Sequence, residues 1–240
     1  IYNESDPVLD KLVKEHHRAD LRYQPYGVPT HTIDNGATTV TIEGHATGLK
    51  VFGNHNLMNL YAAYYACAEI GISAADFVQA IANFTGASKR LELLASNDQV
   101  NVYRDFAHAP SKVKATIDAV KQQYPNRELI AILELHTFSS LNEAFMSEYN
   151  GALAKADTTI VFYSKHALEL KRMPDLPADK VREGFNQPGL LVMNHKEDLQ
   201  NWLENRSFEQ ANLVLMSSGN YDGLDMLTFA KRITGNSNSW

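Results

Sequence analysis

One cysteine, Cys67, is all that the 240 residues contain, so no disulfide can form within the chain. That fits a reducing compartment, and a cytoplasmic setting is expected. A lone thiol also rules out a cysteine-based zinc site, and the nine histidines include no H-E-x-x-H pair. No apolar run approaches the ~20 residues of a membrane span. The opening "IYNESDPV" lacks the basic-then-apolar order of a signal peptide, and it holds no Met, so a longer parent protein is expected. There is no G-x-S-x-G elbow, and no G-x-G-x-x-G follows a strand, which counts against a dinucleotide-dependent oxidoreductase. A G-x-x-x-x-G-K-[ST] phosphate loop is also missing, so no group here would cradle the β- and γ-phosphates of a nucleotide.

Charge is unremarkable too. The formal net charge is −6, and the 22 basic residues form no stripe, so a nucleic-acid backbone is not an indicated partner. With 44% apolar and 21% charged residues, the chain can build one large or two modest cores.

The pattern along the chain divides near 86–90, giving expected domains 1–88 and 89–240. "DPVLDKLVKEH" reads as a short helix with Asp6 as N-cap and Pro7 in its first turn. "RYQPYGVPTHTIDNG" carries turn residues and little periodicity. "TTVTI" (38–42) and "LKVF" (49–52) read as strands around a glycine turn. Leu60, Ala63, Tyr64, Cys67 and Ile70 follow helical spacing, with Cys67 in the core and Gly71 as the C-terminal stop. A helix over "AADFVQAIANF" and a linker "TGASKR" come next. From residue 91, strand patterns ("QVNVYRD", "ELIAILEL", "TTIVFY", "GLLVM", "NLVLMS") alternate with helical ones ("PSKVKATIDAVKQQY", "LNEAFMSEYNGALAKA", "KEDLQNWLEN", "LDMLTFAKRI"). This predicts an α/β domain with a doubly wound, mostly parallel sheet.

Ligands of such sheets bind beyond the carboxyl ends of the strands. Asp105 stands at one such end. His108 and Ala109 precede Pro110 at the start of a helix, where free N–H groups favour an anion. Asp105 could equally just end its strand, and the loop just turn. "LELHTFSS" places Glu134 and His136 at a second strand end. "LMSSGNYDGLD" places Ser217, Ser218, Gly219 and Asn220 at a third, where small residues and donors could receive a polar substrate. In "GNHNLMNLYAA", Asn56 and Asn59 share a helix face, and an Asn amide can pair with adenine. The alternative is that Asn54 or Asn56 caps the helix and His55 faces solvent. Arg90 belongs to the charged pair in "SKRLE" at the domain junction.

Taken in order, these stretches resemble the Mur ligase family, which joins amino acids or peptides to UDP-N-acetylmuramic acid derivatives. "FGNHNLMNLYAAYYA" is similar to the family's G-x-H-N-x-x-N-x-x-A-A segment, "GASKRLE" to its junction, and "YRDFAHAPSKVKATI" to its D-[YF]-A-H-x-P segment. The resemblance implies that residues 1–88 are the C-terminal part of a central ATPase domain and that 89–240 are the family's C-terminal domain. It assigns Asn56 and Asn59 to adenine, Arg90 and Asp105 to the ribose-phosphate region, and His108 to the phosphate or acyl-phosphate end. Asp105 and His108 are expected near the surface of a cleft as catalytic residues. His136 and residues 217–220 are expected to bind substrate. ATP and Mg2+ are the implied cofactors, with the principal metal ligands and the phosphate loop in parts of the parent that this chain lacks, so the chain alone is expected to be inactive. Within the family, "IYNESDP", "FGNHN" and "MSSGNYDG" look closest to members that join the tripeptide L-Ala-γ-D-Glu-meso-diaminopimelate to UDP-N-acetylmuramate. Members that add L-alanine are the near alternative. From a different class, a non-catalytic nucleotide- or peptide-binding module also fits the pattern.

Overall fold

The computed structural model describes residues 1–235, and the chain divides into two compact units between Gly86 and Ala87. In the first unit, β1 (Tyr2–Asn3) pairs in parallel with β2 (Pro25–Tyr26). Between them lies α1 (Pro7–Glu15). The Asp6 carboxylate caps it, accepting from the N–H groups of Val8 and Leu9 at 2.9 and 3.2 Å.

Strands β3 (His31–Asp34), β4 (Ala37–Ile42) and β5 (His45–Leu49) form an antiparallel meander. Both hairpins are closed by two residues at positive φ, Asn35–Gly36 and Glu43–Gly44. This is the geometry that two-residue hairpins require. The expected strand at 49–52 therefore sits earlier. The Glu43–Gly44 turn starts β5 at His45 and register ends it at Leu49, while Val51 and Phe52 are buried without joining a strand. Helices α2 (Asn54–Glu69) and α3 (Ala74–Ile81) complete the unit. Its core joins Val40 and Ile42 to Leu60, Tyr64, Phe77 and Val78. Cys67 is half-buried at the margin of this core rather than within it.

The second unit is built on six strands. β6 (Glu92–Ser96) is the antiparallel edge strand, and β7 (Val100–Asp105) pairs with it. Then follow α4 (Pro110–Gln123), β8 (Glu128–Glu134), a 3-10 helix at Glu143–Tyr149, β9 (Thr158–Phe162), α5 (Lys165–Leu170) and α6 (Ala178–Phe185). Next come β10 (Leu191–Met193), α7 (Lys196–Asn205), β11 (Ala211–Met216), a short 3-10 turn at Tyr221–Gly223 and α8 (Met226–Ile233).

The strand order is β10-β9-β8-β11-β7-β6, and every pair except β6–β7 is parallel. This is the expected α/β architecture. The central strand β11 is buried along all six residues, as a parallel strand covered on both faces must be. One face packs Val102, Ile130, Ile132, Leu213 and Leu215 against Leu199, Leu203, Met226 and Phe229 of α7 and α8. Each fully buried leucine there contributes about 1.5–3 kcal/mol.

The long helix expected over 141–156 is replaced by the 3-10 helix. Asn142 caps its start, accepting from Ala144 N–H at 3.0 Å, and Gly151 at φ +75 cannot continue it.

Topology positions the site. The chain leaves β7, skips one place to β8, and later returns to lay β11 between them. In register, Met216 of β11 stands beside both Asp105 and Leu133. Three carboxyl ends, after Asp105, Glu134 and Met216, are thereby adjacent where the strand order reverses, which is where doubly wound sheets bind ligands.

Candidate functional site

At the β7 end, Asp105 is buried, with 8% of its surface exposed. Its carboxyl accepts from the N–H of Leu91 at 2.8 Å and of Ala107 at 2.6 Å. Its own carbonyl accepts from Ser217 N–H at 3.0 Å. The expectation of Asp105 near a cleft surface is thus corrected: the carboxyl turns inward, because a turn of two residues and the preceding junction offer it buried N–H donors. The junction is tied at a second point, where Phe106 N–H donates to the Lys89 carbonyl at 2.8 Å. Lys89 and Leu91 both hold positive φ, 57° and 46°. Such backbone persists in non-glycine residues only where its surroundings enforce it. Between them, Arg90 is exposed.

His108 is partly exposed. Its Nδ1 lies 2.8 Å from the Phe106 carbonyl, which fixes Nδ1 as the protonated donor and leaves Nε2 as the other ring nitrogen. The Phe106 ring meets it edge-on at 5.2 Å. The buried Tyr149 hydroxyl donates to the His108 carbonyl, and Tyr149 itself stacks on Phe185 at 4.8 Å. Ala109 begins α4 without a side-chain cap, and Pro110 has no N–H to satisfy.

The β8 and β11 ends are joined through Glu134, which is 1% exposed. Its Oε2 accepts from the Ser217 hydroxyl and, at 2.9 Å, from Tyr221 N–H. Its Oε1 lies 3.6 Å from Nδ1 of His136. Ser217 Oγ in turn accepts from Gly219 N–H at 2.6 Å. The Ser217 proton is therefore committed to Glu134. Ser218 Oγ is buried without a partner among the described residues, and Asn220 is exposed.

A Cβ on Gly219 would meet His136 Nδ1 at 2.6 Å and Glu134 Oε2 at 2.9 Å. Gly219 thus serves close packing against His136 and Glu134. Below, Tyr221 is buried. Burial, with the neighbouring Glu134 adding to it, pushes its phenol well above 10, and its hydroxyl lies 3.1 and 2.9 Å from the Ile132 and Met216 carbonyls.

So the fold brings Asp105, His136, Ser217 and Gly219 to one sheet end, and it adds Glu134, whose linking role no sequence spacing revealed. Asn56 and Asn59 lie on α2 of the first unit, Asn59 exposed and Asn56 half-buried with its Nδ2 donating to the Phe52 carbonyl at 2.9 Å. The cap of α2 is Gly53 at φ +87, so neither Asn54 nor Asn56 caps it. Among the described residues no three His, Cys, Asp or Glu side chains converge to hold a metal ion. Among them, too, no helix is long and apolar enough to cross a membrane.

Comparison with known proteins agrees with this architecture. The family model described as Mur ligase, glutamate ligase domain, matches residues 89–219. UDP-N-acetylmuramate–L-alanine ligase of Desulfitobacterium hafniense (strain Y51) is 25% identical over 189 residues, covering 76% of this chain and 41% of that protein. The enzyme of the same name from Paenarthrobacter aurescens (strain TC1) is 35% identical over 128 residues, covering 52% of this chain and 28% of that one. Among solved structures, UDP-N-acetylmuramate–alanine ligase from Thermotoga maritima superposes with a TM-score of 0.62 at 16% identity, covering 86% of this chain and 44% of that one. A murein peptide ligase from Psychrobacter arcticus 273-4 gives 0.52 at 21% identity, covering 87% and 44%. These structures share the fold. The chain spans less than half the length of each of these relatives. With the family model covering more than half of its residues, the chain belongs to the Mur ligase family.

Proposed function

We propose that the chain is the C-terminal part of an ATP-dependent ligase that forms an amide bond on UDP-N-acetylmuramate, and that the amine it adds is the tripeptide L-Ala-γ-D-Glu-meso-diaminopimelate. The supporting observation is the convergence of the D-F-A-H-x-P turn, His136 and the 217–220 loop at one carboxyl end of the parallel sheet.

In this reading the substrate carboxylate takes the γ-phosphoryl group of ATP and becomes an acyl phosphate. The amine then attacks the acyl carbon, and phosphate leaves. The protein's task is to place the two reactants and to offset charge. His108, with Nδ1 spent on the Phe106 carbonyl, would present Nε2 to the phosphate end, beside the uncapped start of α4. Asp105 would act by holding the junction that carries Arg90. His136 and the loop after β11 would receive the amine substrate. On the first unit, Asn59 and the remaining N–H of Asn56 would serve adenine. Magnesium would accompany ATP, but among the described residues no group of His, Cys, Asp or Glu side chains forms a cradle for it, and its protein ligands are expected outside this chain.

A second reading concerns the amine alone. The two curated relatives named above are UDP-N-acetylmuramate–L-alanine ligases, which favours L-alanine. The tight packing at Gly219 leaves no spare room beside His136, which also suits a small amine. What supports the tripeptide is the resemblance in "IYNESDP", "FGNHN" and "MSSGNYDG". The deciding measurement is kcat/KM of the full-length parent for tripeptide and for L-alanine, with UDP-N-acetylmuramate and ATP. Tripeptide preference is expected. An L-alanine preference replaces the amine and keeps the ligase, whereas no ligation of either overturns the proposal.

A further inference from the structure

Glu134 is a carboxyl where a leucine would cost less. Its neighbours Leu133 and Leu135 are fully buried, and so, almost, is Glu134. Burying a carboxyl is costly unless its oxygens are matched by donors. Here Oε2 is matched by donors and Oε1 faces an imidazole, from the two loops that the proposed reaction assigns to the amine substrate. The Ser217 hydroxyl and Tyr221 N–H reach Oε2 from the loop after β11. The His136 ring stands 3.6 Å from Oε1 in the loop after β8. Ser217 passes the constraint on by accepting from Gly219 N–H, and Gly219 lies so close to the imidazole that no side chain fits between them. With Nδ1 turned toward Glu134, the other ring nitrogen, Nε2, is the one left to meet a ligand.

We infer that Glu134 is a positioning residue that locks His136 and the 217–221 loop into one amine-substrate subsite, with no part in holding ATP. This rests on the ligase reading above. Glu134 acts through Ser217, Gly219 and His136.

The test uses the full-length parent and three variants. Glu134→Gln keeps the size but offers an amide N–H where two donors already point. Glu134→Ala removes the link. Ser217→Ala breaks it with little change in volume and serves should the Glu134 variants fold poorly. Steady-state kinetics are measured with the amine (tripeptide and L-alanine, each varied) and with ATP varied. Hydrogen exchange of the Gly219 and Tyr221 amides is read in parallel. Expected are a KM for the amine raised about tenfold or more, a KM for ATP within about twofold, and exchange at both amides faster by about tenfold, each tenfold step corresponding to about 1.4 kcal/mol. An unchanged KM for the amine, an equal rise in both KM values, or unchanged exchange would overturn the inference. Should the wild-type parent ligate neither amine, the ligase reading falls, and the exchange measurement still decides whether Glu134 holds the loop.

Discussion

The Asp105 carboxyl accepts the Leu91 N–H at 2.8 Å across fourteen residues of chain, and so fastens the start of the second unit to the end of β7. Leu91 holds φ 46°, a conformation that L residues reach only under constraint. Its N–H would be orphaned without Asp105, as would that of Ala107. A buried N–H left unpaired costs about 1–3 kcal/mol. Asp105→Ala is therefore expected to destabilise the second unit by about 2–4 kcal/mol, two donors being lost with some relaxation. A denaturant titration checks this. A midpoint equal to wild type would show that the clamp carries no stability and that Asp105 serves substrate alone.

Gly184 lies inside α6, where alanine normally gains about 1 kcal/mol over glycine. Here a Cβ would fall 2.8 Å from the backbone carbonyl carbon of Met146 and 2.3 Å from its Cβ, on the 3-10 helix. Backbone cannot swing aside as a long side chain can, so overpacking at about 1–3 kcal/mol outweighs propensity. Gly184→Ala is expected to lower the melting temperature. A rise would mean that the two helices separate freely.

Glu92 gives a pH signature. Burial pushes its carboxyl up, but the Lys89 N–H and the Arg104 guanidinium, at 2.8 and 2.9 Å, outweigh this and hold it below its ordinary 4.5. A carboxyl with a lowered folded value contributes stability above its unfolded value and loses it as pH falls through the folded one. Wild type should therefore exceed Glu92→Gln in thermal midpoint at pH 7. The gap should narrow as pH falls below the ordinary 4.5 and close once the carboxyl is protonated in the folded protein as well. A gap that does not narrow as pH falls would assign the effect to shape.

How far the sequence carried differs by element, and the reasons are physical. Asp6, Pro7 and the start of α1 were legible because capping is local. So were α7 and β11, whose apolar periods are complete. The antiparallel β6 was missed, since its edge position leaves Leu93 half exposed and blurs the pattern. The 3-10 helix at Glu143–Tyr149 read as a longer α-helix because its apolar spacing resembles one, and only Gly151 marks the break. The strand ends that hold His108, His136 and Ser217 were legible by motif. Their partners were not, because β11 lies between β7 and β8 by a crossover that no local spacing encodes. That is why Glu134, legible as a strand-end residue, showed its link to Ser217 and Tyr221 only in three dimensions. Asp105 read as a surface group because no spacing shows that its carboxyl turns back to the N–H groups of Leu91 and Ala107.

His108 separates from Asp105 in a way that one pair of variants can read. Its side chain makes one hydrogen bond, to the Phe106 carbonyl, and one edge-on ring contact, and it is partly exposed. Losing these costs little stability, about 1 kcal/mol by the usual net worth of a hydrogen bond. Misplacing a group at the reacting centre costs far more, commonly about a hundredfold in rate. His108→Ala in the full-length parent should therefore cut kcat/KM by about a hundredfold with the melting temperature nearly unchanged. The two ring nitrogens can then be told apart. An asparagine amide reaches about as far as Nδ1 and can keep the bond to the Phe106 carbonyl. A glutamine amide reaches about as far as Nε2 and can replace the outward nitrogen. If Nε2 faces the phosphate end, His108→Gln should retain more activity than His108→Asn. If Asn is the better substitute, the bond to Phe106 is what matters, and His108 shapes the turn into α4 without touching the substrate.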